Sequence, residues 1–213
     1  MMSEPGTILA LLGASGHGKV VADAALCSGW REVVFFDDAW PAVVMNGPWP
    51  VAGNTAALLA CLREFDGVAV SIGNAAVRCL KQSELADAGA KLATIIHPRA
   101  CVSQFARICE GSVVMAGAVV NADASIGKAC IINTGATVDH DCRLADGAHI
   151  SPGAHLAGNV TVGVNSWVGI GATVRQGICI GDGAMVGAGA VVVKPVADRA
   201  TVVGNPAAPL AKK

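Results

Sequence analysis

Between Ile96 and Val192 every sixth residue is isoleucine, valine or leucine, seventeen positions in succession. The run passes through Ile108, Val120, Ile132, Leu144, Leu156, Val168 and Ile180 without a break. So short and regular a period marks a repeat architecture, and a period of six marks a parallel β-helix. Two more columns keep the same register. Three residues after the aliphatic there is often one that reaches left-handed backbone angles at low steric cost, as at Gly111, Gly135, Gly153, Asn159, Asn165 and Gly177. Four residues after it stands a small one, as at Ser112, Ala118, Cys130, Ala136, Cys142 and Ala154. Each hexad reads as a short strand with one inward aliphatic, then a corner. Three hexads close a triangular coil, and coils stack at roughly 4.8 Å.

The residues before this run obey a different rule. Residues 7–13 are a short apolar stretch ending in glycine, as a buried parallel strand requires. Gly13-Ala14-Ser15-Gly16-His17-Gly18 comes next, and a helical pattern runs from Lys19 to about Ser28. Val33 to Phe36 is a second strand ending in Asp37-Asp38, and residues 39–52, with their Pro and Trp, read as a loop. Asn54-Thr55 caps a helix expected to reach about Glu64. Val68 to Ile72 is a third strand closed by Gly73-Asn74, a helix from Ala75 to Ala88 carries Arg78, and Leu92 to Ile96 is a fourth strand. Strands alternating with helices predict a small α/β, Rossmann-like half domain. The expected organisation is residues 1–95 as this α/β domain, 96–197 as the all-β parallel helix, and 198–213 as a segment that leaves the coil.

Glycines between a first strand and a helix make a phosphate site, because helix N-terminal N–H groups point at an anion and no side chain blocks it. Asp37, about twenty residues on, is placed for sugar hydroxyls or a base edge. The spacing G-x-x-G-x-G is not the dinucleotide fingerprint, so a nucleotide diphosphate is expected here rather than a nicotinamide cofactor, with a structural turn that holds no ligand as the other reading. His17 either hydrogen-bonds a phosphate or caps the turn.

Composition narrows the classes. A net charge of −1 and a pI near 6.5 argue against nucleic acid as partner. The mean hydropathy is +0.55, yet no apolar run approaches the ~20 residues of a membrane span. The chain enters its first strand without a basic leader, so no signal peptide is expected. Eight cysteines are scattered without a C-x-x-C pair, which predicts buried, reduced thiols in a cytoplasmic protein. No metal site is expected.

The glycine loop Gly13–Gly18, Phe36-Asp37-Asp38, Ile72-Gly73-Asn74 with Arg78, and hexads carrying Asn133-Thr134 and Asp139-His140-Asp141 together resemble the bacterial nucleotide-sugar acetyltransferases. These belong to the hexapeptide-repeat superfamily and include the PglD, PerB and NeuD types. The resemblance spans nearly the whole chain. It implies a left-handed β-helix, a homotrimer with active sites between neighbouring helices, acetyl-CoA as co-substrate, and a nucleotide-linked 4-amino-4,6-dideoxy sugar as acceptor. A UDP-sugar is expected first and GDP-perosamine second. For the α/β domain it implies nucleotide contacts from Ser15, Gly16, His17, Asp37, Gly73 and Asn74.

Acetyl transfer to an amine requires a base, a held thioester and a stabilised oxyanion. Histidine titrates near operating pH, and His140 is flanked by Asp139 and Asp141, either of which can orient the ring. The resemblance favours Asp141 and makes His140 the base. It also implies that His149 meets the acetyl group or cofactor and that Asn133 contacts the sugar nucleotide. It places Gly158, one coil beyond His140, beside the thioester, where its N–H is a candidate oxyanion donor, although Gly158-Asn159 also reads as a plain corner. Ile170, Gly187 and Ala188 are implied to line pantetheine. The segment Gly204-Asn205-Pro206-Ala207 resembles one that closes over coenzyme A, with Lys194, Lys212 and Lys213 as candidate phosphate contacts. Cys142 falls in the small inward column, so direct transfer is expected without an acyl-enzyme. Two other readings remain: an O-acetyltransferase of a sialic-acid-type sugar, and a non-catalytic solenoid that serves assembly or regulation.

Overall fold

The structure is a computed structural model and describes residues 8–210. Thr7, Lys212 and Lys213 lie outside the described residues. The chain divides into two compact units, with the division in sequence between Pro98 and Arg99.

The first unit is a five-stranded sheet flanked by helices. Its elements are β1 (Ile8–Leu12), α1 (Gly16–Cys27), β2 (Glu32–Phe36), β3 (Met45–Asn46), β4 (Trp49–Gly53), α2 (Thr55–Ala60), β5 (Gly67–Val70) and α3 (Ala75–Asp87). The strand order is β3-β4-β2-β1-β5, with β2 and β5 both parallel to β1. Leu9, Leu11, Phe35 and Leu58 are among its fully buried side chains. Connections leave β1 in opposite directions, which makes the carboxyl ends of β1 and β5 a topological switch point, where open α/β sheets bind ligands.

Local expectations fail where chemistry other than hydrophobic period decides. The segment 39–52 is not all loop: β3 and β4 form an antiparallel hairpin, and β4 runs parallel to β2. Gly47, at φ 67, turns the hairpin, and Pro50 stands in β4 opposite Met45. Helix α1 begins at Gly16 instead of Lys19, so His17 and Gly18 belong to its first turn. The Asn54 side chain accepts the Ala57 N–H as expected of a cap, but α2 ends at Ala60, and a separate 3₁₀ turn covers Leu62–Glu64. The expected fourth strand shrinks to a bridge between Leu92 and Val68 and a two-residue strand at Ile95–Ile96.

The second unit is the left-handed parallel β-helix. Up to Val192 its strands are two residues long and pair in parallel with the strand eighteen positions on, as Val120 does with Val138 and Ile132 with Ile150; the last coil is shorter, and Met185 pairs with Thr201. One face stacks Cys101–Val102, Val119–Val120, Thr137–Val138, His155–Leu156, Thr173–Val174 and Val191–Val192. A second stacks Arg107–Ile108, Ser125–Ile126, Arg143–Leu144, Thr161–Val162 and Cys179–Ile180. A third carries Val113–Val114, Ile131–Ile132, His149–Ile150, Trp167–Val168, Met185–Val186 and Thr201–Val203. From Val114 to Val192 every aliphatic of the column is buried. The corner column has φ between 53 and 73 in every coil from Gly111 to Gly189 and includes Asp123, Ala129 and Asp141 beside its Gly and Asn residues. The chain does not leave the stack at Asp198. Arg199 N–H bonds to Asp182 O, Thr201–Val203 adds to the third face, and only then does the chain fold back so that Ala208–Pro209 pairs antiparallel with it.

All eight cysteines are free, but Cys27, Cys101, Cys109 and Cys179 are exposed and only Cys130 and Cys142 are fully buried, so the expectation of buried thiols holds for the small column alone. Among the described residues no helix is long and apolar enough to cross a membrane.

Candidate active site

Three clusters gather most of the candidate residues. The first lies at the switch point. The loop after β1 and the loop after β5 touch: Ser71 Oγ donates to Gly13 O at 2.8 Å, and Gly13 adopts φ 116, where a Cβ would meet Ile72 Cγ1 at 2.7 Å. Ser15 precedes α1 in extended conformation, and its exposed hydroxyl makes no capping bond. Gly16 faces open space. Gly18 is needed for packing, because a Cβ there would strike Gly13 O at 2.5 Å and Phe35 Cε1 at 2.9 Å. An uncapped helix start behind a glycine loop offers backbone N–H groups to an anion.

Arg78, on α3, is fully buried. Its Nη1 donates to Ile72 O and Gly73 O, each at 2.8 Å, and so shapes the second loop. His17 is held neutral: burial, then the Arg78 charge, push its pKa down to about 4. Asp37 is partly occupied by structure, since its carboxylate accepts the Ala14 N–H at 2.7 Å and the Ala39 N–H at 2.9 Å. Asn74 serves as the cap of α3, accepting the Val77 N–H. Asn46, on β3, is a contact that sequence reasoning missed; its Nδ2 donates to Ser15 O at 3.1 Å and ties the hairpin to the glycine loop.

The second cluster is at the corner between Thr137–Val138 and Arg143–Leu144. His140 Nδ1 lies 2.8 Å from Asp141 Oδ2. The pair is exposed, and the hydrogen bond that the ring donates to Asp141, followed by the charge of Asp139, raises the His140 pKa. With Nδ1 engaged, Nε2 is the atom left to meet a substrate. Gly158 sits directly against the ring: a Cβ there would be 2.5 Å from both Cε1 and Nε2. Cys142 Sγ donates inward to Ala157 O at 3.2 Å, and burial raises its pKa, which makes it a poor nucleophile.

The third cluster is a groove of about 370 Å³ on the third face and the corner beyond it, lined by Asn133, His149, Ser151, Trp167, Ile170, Met185, Gly187 and Ala188 among others. Thr134 N–H donates to Asn133 Oδ1 at 2.9 Å, which turns the amide Nδ2 towards His149 Nε2 at 3.1 Å. That nitrogen must accept, so His149 is a neutral imidazole with its proton on Nδ1. Its ring packs on Trp167 with centroids 4.3 Å apart. Trp167 and Met185 carry no motif, but each stands one coil further along the column of His149, so the eighteen-residue spacing was enough to find them. Gly158 belongs with His140 and not with this groove. Gly187 touches the terminal segment, since a Cβ there would meet Val203 Cγ1 at 2.7 Å. Gly204 O accepts the Val191 N–H, and Pro206 and Lys194 are exposed.

Comparison with known proteins adds the family. Residues 8–85 match the PglD N-terminal domain. The acetyltransferase domain of PglB from Neisseria gonorrhoeae FA1090, solved in complex with acetyl coenzyme A, is 46% identical over 96% of this chain and 99% of that one, with a TM-score of 0.92. The chain belongs to the PglD/PerB-type sugar acetyltransferases. PerB from Caulobacter crescentus, in complex with CoA and GDP-perosamine, is 40% identical over 95% of this chain and 97% of its own, with a TM-score of 0.89. WeeI from Acinetobacter baumannii AYE is 30% identical over 95% and 99%, with a TM-score of 0.84. As a PglD/PerB-type acetyltransferase the chain is an enzyme that uses acetyl-CoA.

Proposed function

We propose that this protein acetylates the 4-amino group of a nucleotide-linked 4-amino-4,6-dideoxy sugar by direct attack on acetyl-CoA, with His140 as general base. The observation that carries the reading is the 2.8 Å contact between His140 Nδ1 and Asp141 Oδ2. It leaves Nε2 free and supports the imidazolium that forms when the base takes a proton. Gly158 lacks a side chain where the ring rests, and its N–H is the proposed donor to the oxyanion of the tetrahedral intermediate. As that intermediate collapses, the proton on His140 passes to the departing thiolate.

The switch-point cluster is the proposed nucleotide site, with Ser15, Gly16 and His17 at the diphosphate and Asp37, Gly73 and Asn74 around it. The groove of Asn133, His149, Ile170, Gly187 and Ala188 is the proposed pantetheine and acetyl site, with Gly204 and Pro206 at its edge. Its apolar floor with a few polar groups suits a thioester arm. Asn133 is proposed to reach the sugar as well as His149. The His140 corner and this groove lie on different edges of one β-helix, which supports a homotrimer whose copies complete one another's sites. We place the UDP-sugar before GDP-perosamine as acceptor. Free thiols throughout the chain fit the reducing cytoplasm.

The test is thiol release from acetyl-CoA against UDP-linked 4-amino-4,6-dideoxy sugars, GDP-perosamine and free sialic acid. Turnover with a UDP-aminosugar supports the whole reading. Turnover with GDP-perosamine alone keeps the reaction and corrects the nucleotide. Turnover with sialic acid alone replaces it with O-acetylation.

A further inference from the structure

We propose that Asn121 and Asp139 form a positioning pair for His140, fixing its main chain so that the ring stands over Gly158 with Nδ1 turned to Asp141. The inference rests on His140 acting as the base.

Asn121 and Asp139 are eighteen residues apart, on adjacent coils, and Asn121 Nδ2 donates to Asp139 Oδ1 at 2.7 Å. The same oxygen accepts the His140 backbone N–H at 2.8 Å. Asp139 therefore grips the main chain of His140, while Asp141 holds the ring. Both members are rooted in the ladder: Asn121 N–H bonds to Val138 O at 2.9 Å and Asp139 N–H to Leu156 O at 3.1 Å. The grip acts at a tight corner. Asp141 lies at φ 61, a conformation that costs a side-chain-bearing residue and reverses the chain at once after His140. The ladder holds the far side of this corner, since His140 O accepts the Asn159 N–H at 2.9 Å and Asp141 N–H donates to Ala122 O at 3.2 Å; the Asp139 carboxylate adds the hold at the His140 N–H and so fixes the near side of the ring's attachment.

Electrostatics act in the same direction. The charged groups acting on the ring are Asp139 and Asp141 on its own corner. The coil before offers Asn121 and, in the column of Asp141, Asp123; the coil after offers Gly158 and Asn159, both uncharged. Asp139 is itself held ionised, first by Asn121 and then by the His140 N–H. Its negative charge is thus both a clamp on the main chain and a support for the protonated ring.

The experiment compares Asp139→Asn, Asn121→Ala and His140→Ala in the full chain. It measures kcat and KM for both substrates, the pH profile of kcat/KM, and the NMR titration of the His140 ring. Asp139→Asn keeps an oxygen that can accept both bonds but removes the charge, which also weakens them, whereas Asn121→Ala removes one bond of the clamp outright. Both pair variants are expected to lower kcat about tenfold, a fraction of what a general base supplies, with each KM within about twofold. In Asp139→Asn the ring titration and the acid limb of the profile are expected to move together to lower pH. Wild-type kcat and an unmoved titration in Asp139→Asn, beside an inactive His140→Ala, would overturn the pair and leave the base intact. A raised KM at unchanged kcat would reassign the pair to substrate binding and also overturn it. An active His140→Ala would overturn the base and the pair together.

Discussion

At the scale of single residues, the site depends on what is missing as much as on what is present. Gly158 has no side chain because the His140 ring occupies that place. Gly158→Ala is expected to push the ring aside and lower kcat about a hundredfold. The unfolding temperature should barely move, because the His140 side chain is 63% exposed and can swing into water. Steady-state kinetics beside a thermal melt decides this; a stable variant with full activity would show that the ring does not work from above Gly158. His17 makes the opposite kind of prediction, about stability. Its pKa falls from 6.5 to about 4 on folding, through burial and Arg78. Between those values the unfolded chain binds a proton that the folded chain refuses, so stability falls as pH falls through the window. The loss amounts to about 3 kcal/mol at most, at 1.36 kcal/mol per pKa unit. Melts from pH 7 to pH 4 should therefore slope less in His17→Gln than in the parent.

At the scale of elements, one rule of spacing writes the β-helix. Where a coil has glycine just after its aliphatic on the second face, the next coil has aspartate: Gly127 with Asp146, Gly163 with Asp182, and Gly181 with Asp198. The aspartate reaches back to accept a corner N–H, as Asp146 does from Lys128 and Asp182 from Val164, both at 2.7 Å. Ala145 breaks the glycine pattern, and one coil on stands Val164 in place of aspartate. Gly163→Ala would drive its methyl group into the Asp182 carboxylate and also to 2.5 Å from the main-chain Asp182 N and Gly181 C, and is expected to cost about 1–3 kcal/mol. Adding Asp182→Ala should recover little of that loss, because the main-chain atoms still stand in the way and the Val164 N–H loses its acceptor; a double-mutant cycle by urea unfolding measures the coupling. Because the column is periodic, the hexads, the corner angles and the inward cysteines could be read from the sequence. The Asp141 corner could be read as well, since it falls in the column that Gly and Asn otherwise fill. The β3–β4 hairpin could not, because Gly47, Pro48 and Pro50 imitate a loop and only pairing with β2 makes β4 a strand. Nor could the division of labour among aspartates be read: Asp37 spends its carboxylate on Ala14 and Ala39, and Asp38 binds the Thr55 N–H and Lys81. Asn121 was within reach of the same arithmetic that linked His140 to Gly158, but a solvent-facing asparagine carries no signal until its neighbour on the next coil is known.

At the scale of the whole molecule, the proposed base and the proposed thioester groove sit on separate edges of the same β-helix, so the trimer can be tested through its chemistry. His140→Ala and Ile170→Asp should each be inactive alone. Co-expressed, they should form mixed trimers in which one junction in three pairs an intact base with an intact groove. Random assembly then returns roughly a quarter of wild-type activity. No recovery in purified mixed trimers would mean that each copy completes its own site. The stacking rule also sets what changes in length the protein tolerates. Up to the last coil, every side chain on an edge is eighteen residues from its neighbours above and below, and the last coil is two residues shorter. Inserting eighteen residues at one corner would therefore act as a spacer, moving everything beyond it outward by roughly 4.8 Å with its compass bearing unchanged. Inserting six would preserve the hydrophobic ladder yet turn everything downstream by a third of a revolution. Such a protein would still fold as a sound column, but His140 and its groove would face the wrong neighbours. Length variation in this architecture is thus quantised by direction before it is limited by stability.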